Sequence, residues 1–177
     1  MKKTIAILGS SRSDENTMLA LRAVLGDHPA EIIDISACNI TPYDYKHQNI
    51  DDDFKPIAEE MANSDLIIYA TPVDWCAMSS QLKTFFERFS ELISVHTELG
   101  PKMKGKECCL VVAGEEEELS AGFDMPVRKT CDYMEMQFHG TMYCAFDNEN
   151  NLRLSDEEQA KAFGKQFLAL ANESVQG

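Results

Sequence analysis

The chain has 177 residues, 44% hydrophobic and 26% charged, which suits one globular domain over 1–177 with a sizeable core. A formal net charge of −14 and a sequence pI near 4.6 exclude the basic footprint of a nucleic-acid binder and disfavour attraction to anionic lipid. The apolar run after Met1, Lys2 and Lys3 is too short for a signal peptide, and no stretch is long enough to span a bilayer. The six cysteines show neither Cys-x-x-Cys nor disulfide-framework spacing, so the expectation is reduced thiols in a cytoplasmic protein.

Residues 3–9 read as a first strand, nearly continuous in apolar side chains, as a strand covered on both faces should be. Residues 10–17 form the next loop, and 18–25 a helix ending near Gly26. Ser10, Ser11 and Thr17 supply hydroxyls, Asn16 an amide and Arg12 a forked cation, all near a helix N-terminus that favours anions. That set suits a phosphate monoester. Plain helix capping explains the same residue types, and the loop has neither dinucleotide nor ATP spacing.

Residues 31–35 form the second strand, followed by a long loop over 36–53 containing Pro42, Tyr43, Tyr45 and His47. A loop this long serves a ligand or a partner subunit, or is plain surface; His47 is the one histidine placed to meet a ligand. Asp51, Asp52 and Asp53 then cap a helix through Phe54, Ile57, Ala58 and Met61, and need no chemistry.

Residues 65–69 are a buried third strand, leading into Ala70, Thr71, Pro72, Val73, Asp74 and Trp75. A helical stripe of Leu82, Phe85, Phe86, Phe89, Leu92 and Ile93 follows, with Lys83 and Arg88 expected at its edge. Core packing accounts for most of this stripe, and its excess of Phe points to a second subunit. Residues 107–113 are the fourth strand, ending at Gly114 and the run Glu115–Glu118, read as the first turn of a helix to Met134 with Pro126 an irregularity. Four adjacent carboxylates would oppose negative charge on any ligand beside them, so most should point to solvent. A fifth strand over 136–146, interrupted at Gly140, precedes a last helix opened by a Ser155-x-x-Glu158 capping box.

Five strands alternating with helices predict a doubly wound α/β fold, its parallel sheet ordered 2-1-3-4-5. Ligands of such sheets bind at the carboxyl edge near the switch between strands one and three, and the first and third loops flank that point.

The first loop, Gly9 to Arg12 with Asn16 and Thr17, resembles the FMN-phosphate loop of the NADPH-dependent FMN reductase family. Thr71 to Trp75, with Met78, Ser79, Leu82, Lys83, Phe85 and Arg88, resembles its Thr-Pro-x-Tyr-Trp-x-x-Met-Ser-x-x-Leu-Lys-x-Phe-x-Asp-Arg signature. The resemblance implies a flavodoxin-like fold, bound FMN, NAD(P)H as electron donor, a small acceptor (quinone, flavin, metal or dye), and a homodimer or homotetramer. It places Ser10, Arg12, Asn16 and Thr17 at the phosphate, Thr71, Pro72, Val73, Asp74 and Trp75 along the isoalloxazine, and Ala113 and Gly114 against it from the fourth strand. The cofactor carries the chemistry, so no side chain is assigned as a catalytic acid or base. Asp74 stands where relatives often have Tyr, adding a carboxylate beside the ring. Cys38 alone in the second loop rules out the cluster of the related iron–sulfur flavoproteins, and Cys76, beside Trp75, reads as a buried inert thiol rather than an oxidisable one. Two alternatives stand: a flavodoxin-like electron carrier, whose phosphate loop is richer in Thr and Gly, and a flavin-free interaction protein.

Overall fold

The apolar runs become strands wherever both of their faces are covered. The computed structural model describes residues 2–10, 16–48 and 51–172. In chain order β1 (Thr4–Leu8) leads to α1 (Asn16–Leu25), β2 (Glu31–Asp34) to α2 (Phe54–Ala62), and β3 (Leu66–Pro72) to α3 (Ser80–Glu87). Two single-turn helices, α4 (Glu91–Ser94) and α5 (Gly100–Met103), precede β4 (Glu107–Gly114) and α6 (Met125–Tyr133). Then come β5 (Gln137–Ala145) and α7 (Leu154–Ala169). The sheet is wholly parallel in the order β2-β1-β3-β4-β5, as the alternation predicts.

The strand period of two sorts the side chains into two cores. Ile5, Ile7, Tyr69, Leu110 and Val112 face Phe54, Phe85, Phe89 and Val127 on one side. Ala6, Leu8, Ile68 and Val111 face Leu21, Val24 and Phe167 on the other. On that second side α1 and α7 touch backbone to backbone. A Cβ on Gly164 would lie 1.9 Å from the Val24 carbonyl oxygen, so only glycine lets the helices come so close. Opposite β4, β5 carries one extra residue between Phe138 and Thr141, and Gly140 takes φ +105° there.

Several local expectations are corrected. Residues 115–118 form bends, and α6 begins only at Met125, with Pro126 seated in its first turn where proline is welcome. The capping box does not form: α7 starts at Leu154 after Arg153, and Ser155 Oγ turns to Asp156 Oδ1. Asp156 Oδ2 in turn accepts from the Ala145 N–H at 2.9 Å, so the first turn of α7 is fastened to β5 instead. Most of the Phe stripe packs inside the subunit, Phe85 edge-on against Phe54 at 5.4 Å and against Phe89 at 5.7 Å, as core packing predicts, while Ile93 at its end is exposed.

Arg88 is not at the edge of the helix but wholly buried. Its Nε and Nη2 donate to the two carboxylate oxygens of Glu91 at 2.8 and 2.9 Å, and its Nη1 donates to Asp52 Oδ2 at 2.5 Å. Asp52 therefore does more than cap α2. Its Oδ2 also accepts the Thr41 N–H and hydroxyl at 2.9 and 2.8 Å, while Oδ1 accepts the Phe54 N–H at 3.0 Å. Burial works to raise the Asp52 pKa, but the Arg88 and Thr41 donors outweigh it and hold the carboxyl below its ordinary value. The clasp ties the long loop after β2 to the end of α3. In that loop His47 takes φ +52°, packs beside Tyr43 at 5.9 Å, and does not line the cavity at the sheet edge.

Candidate functional site

Because β1 and β3 are neighbours whose crossovers run to opposite faces, their carboxyl ends leave a crevice that no helix fills. A cavity of about 510 Å³ lies there, within the range of small-ligand sites. Ser10, Asn16 and Thr17 line one part of it, Pro72, Val73 and Asp74 another, and Ala113 and Gly114 a third. Eight of the twelve residues singled out from the sequence thus share one space. Ser11 and Arg12 lie outside the described residues.

Thr71 and Trp75 stand elsewhere. Thr71 is buried and points inward: its Oγ1 accepts from the Ser79 N–H at 2.9 Å. Ser79 is the N-cap of α3, accepting from the Leu82 N–H at 3.1 Å, and its hydroxyl donates to the Gly9 carbonyl at 2.5 Å. Ser79 and Thr71 therefore bolt together the first loop, the end of β3 and the start of α3, although neither lines the cavity. The fit leaves no slack, since a Cβ on Gly9 would lie 2.7 Å from Leu82 Cβ.

Trp75 is 100% exposed, at the tip of a tight turn closed by an antiparallel bridge between Asp74 and Ala77. Trp75 and Cys76 both adopt the left-handed region, φ +46° and +63°, which normally asks for Gly, Asn or Asp. Backbone strain in a bulky residue is commonly held at functional sites. Cys76, expected buried, is exposed on this turn and borders the cavity.

The sequence reading also missed the opposite wall. Tyr143, on β5, lines the cavity, and its hydroxyl donates to the Glu116 carbonyl at 2.8 Å, so it steadies the bends after β4. Burial first, and the nearby Glu116 second, raise its pKa and keep the phenol a donor. Leu119, Ser120 and Asn150 complete the lining. Glu115 to Glu118 are all exposed, as their repulsion of negative charge predicts, yet Glu115, Glu116 and Glu118 still border the cavity. No described lysine or arginine lines it.

A family model described as NADPH-dependent FMN reductase matches residues 2–151. The chain belongs to that family. Over 98 residues it is 36% identical to YwqN of Bacillus subtilis, a protein named provisionally as an NAD(P)H-dependent FMN-containing oxidoreductase. The match covers 51% of this chain and 54% of YwqN, so the chain spans about half the length of that curated relative. The Trp repressor binding protein of Bacillus subtilis superposes with TM-score 0.73 at 20% identity, covering 94% of this chain and 97% of the other. General stress protein 14 of Treponema denticola, solved with FMN, does so with TM-score 0.61 at 14% identity, covering 96% and 98%. At such identities these likenesses show the flavodoxin-like fold alone.

The cavity fits the FMN that the family implies. Its polar end offers the Asn16 amide and the hydroxyls of Ser10 and Thr17 at the start of a ten-residue helix, a setting for phosphate. Pro72, Val73, Ala113, Gly114 and Leu119 supply an apolar part of the lining, a setting for a ring system.

Proposed function

We propose that the protein is an FMN-dependent NAD(P)H oxidoreductase that passes electrons from a nicotinamide to a small acceptor such as a quinone, a free flavin, a metal or a dye. The observation that carries this reading is the cavity itself, with a donor-rich helix start at one end and the β3 and β4 edges at the other, in a chain of this family.

Bound FMN would supply hydride acceptance and electron delivery. The chain's own residues bind and orient it. Ser10, Asn16 and Thr17, with Ser11 and Arg12 between them in the sequence, would hold the phosphate. Pro72, Val73 and Asp74 flank the ring from β3, and Ala113 and Gly114 from β4. Thr71 positions this frame through Ser79 rather than by contact. Trp75 offers an aromatic face at the rim of the site, suited to stacking on a planar ring. Asp74 and the glutamates bias the site against excess negative charge.

The same reading extends to assembly as a homodimer or homotetramer. Its support is the full exposure of Trp75, together with the exposed Ile93 and Tyr133 bordering an apolar groove between the α3–α4 segment and α6. A mass that stays monomeric at every concentration would refute that part. No described helix is long and apolar enough to cross a membrane.

The decisive test is a visible spectrum of the purified protein with FMN, followed anaerobically by NADPH and NADH. A bound oxidised-flavin spectrum that bleaches within seconds is expected. A spectrum that persists with both nicotinamides would overturn the reductase in favour of an electron carrier, and no flavin binding would overturn both.

A further inference from the structure

The loop between β5 and α7 carries no ligand signal in sequence, yet it delivers one side chain to the cavity. Asn150 lines the same space as Ser10, Asn16 and Thr17. Although 134 residues separate them, Asn16 Nδ2 donates to Asn150 Oδ1 at 3.2 Å. That bond engages the amide oxygen of Asn150, which leaves its two N–H groups as donors.

The loop is built to hold this residue. Phe146 N–H donates to the Gly114 carbonyl at 2.8 Å, and Phe146 forms a bridge with Leu152, so the loop hangs from the end of β4. Inside it, the Asp147 carboxylate accepts the N–H groups of Glu149 at 2.9 Å and Asn151 at 2.8 Å. The Asn150 N–H donates to the Asp147 carbonyl at 3.0 Å. Asn150 takes φ +62°, a conformation that asparagine tolerates better than most other non-glycine residues.

Asp74, Glu115, Glu116 and Glu118 border the cavity, and no described cation does. An anionic end group among them needs N–H donors to hold it, and the free N–H groups of Asn150 lie beside Asn16 at the start of α1. We propose that Asn150 is a further binding residue of the site, an N–H donor to the terminal phosphate of the bound mononucleotide, held in place by Asn16 and by the Asp147 turn. The proposal rests on the FMN reading above.

Riboflavin, which has the same ring and ribityl chain without the phosphate, separates the outcomes. Wild type, Asn150→Gly and Asn150→Asp are titrated with FMN and with riboflavin by quenching of flavin fluorescence. Asn150→Gly keeps the left-handed backbone and removes only the amide. It should weaken FMN about tenfold, as for one hydrogen bond to a charged group, and leave riboflavin affinity unchanged. Asn150→Asp should weaken FMN further, with riboflavin again unmoved, since a carboxylate then faces the phosphate. Equal weakening of both flavins, or no weakening of FMN, would overturn the proposal. Wild type that binds neither flavin would instead overturn the FMN reading, and the proposal with it.

Discussion

The two walls of the cavity are held in different ways. The wall made by the first loop, the end of β3 and the start of α3 is joined by buried bonds among Gly9, Thr71 and Ser79, and braced behind α3 by the buried Arg88 clasp. The wall after β4 is a run of exposed bends steadied at the cavity by the Tyr143 hydroxyl. Buried, fully paired polar groups resist rearrangement, whereas exposed bends with few tertiary contacts open at little cost. The first wall therefore suits a resident cofactor that must not move, and the second suits molecules that come and go.

The largest expected effect comes from breaking the rigid wall at its brace. Arg88→Met leaves Asp52 and Glu91 buried without their counter-charge and should lower stability by about 3–5 kcal/mol, read as a fall in the midpoint of a denaturant titration. A smaller loss would mean that the long loop swings away and lets water in. Next, Ser79→Ala orphans the Gly9 carbonyl and the Leu82 N–H. It should cost about 1–3 kcal/mol and loosen flavin binding, while Ser79→Thr restores most of both. If flavin affinity stays put as stability falls, Ser79 serves the fold alone and does not position the site.

Acid offers a reagent-free version of the first break. The Asp52 carboxyl has a depressed folded-state pKa, so its contribution is fully present above its unfolded value of about 4 and is lost as pH falls through the folded value. Stability should drop below about pH 4, and Asp52→Asn should flatten that limb while lowering stability near neutrality; an acid limb unchanged in the variant would assign it to other carboxylates. On the wall after β4, Tyr143→Phe removes one half-exposed bond, worth about 1 kcal/mol or less. Its signature should be a change in KM for the nicotinamide with flavin affinity intact. The smallest effect belongs to Lys83→Ala, which removes an exposed pair with Glu87 and should leave the melting temperature unchanged.

The sheet was legible because burial on both faces writes itself into unbroken runs such as Leu66 to Tyr69, and parallel strands follow from the helices between them. The two loops that line the cavity were legible because each ends a strand. What the sequence hid is set by partners distant along the chain. Arg88 looked like an edge residue until Asp52 and Thr41 folded over it. Ser155 matched a capping pattern, but the first turn of α7 is fastened to Ala145 instead. The glutamates after β4 fit a helix start, yet the chain stays in bends and the Tyr143 hydroxyl takes the Glu116 carbonyl. Asn150 was one polar residue among several in a loop, and no local pattern marks which of them reaches Asn16.

The contact between Gly164 and Val24 makes α1 a lever with its fulcrum at the back of the molecule. Val24 sits near the far end of the helix whose first residue, Asn16, meets the cavity, about 12 Å away along the axis. A methyl group at position 164 cannot be absorbed by a side-chain rotation, because it would strike backbone. The helix must shift or tilt as a rod, and its other end carries Asn16 and Thr17, the proposed phosphate donors, with it. On the proposed FMN reading, cofactor grip would then be tunable from a glycine that lies outside the cavity.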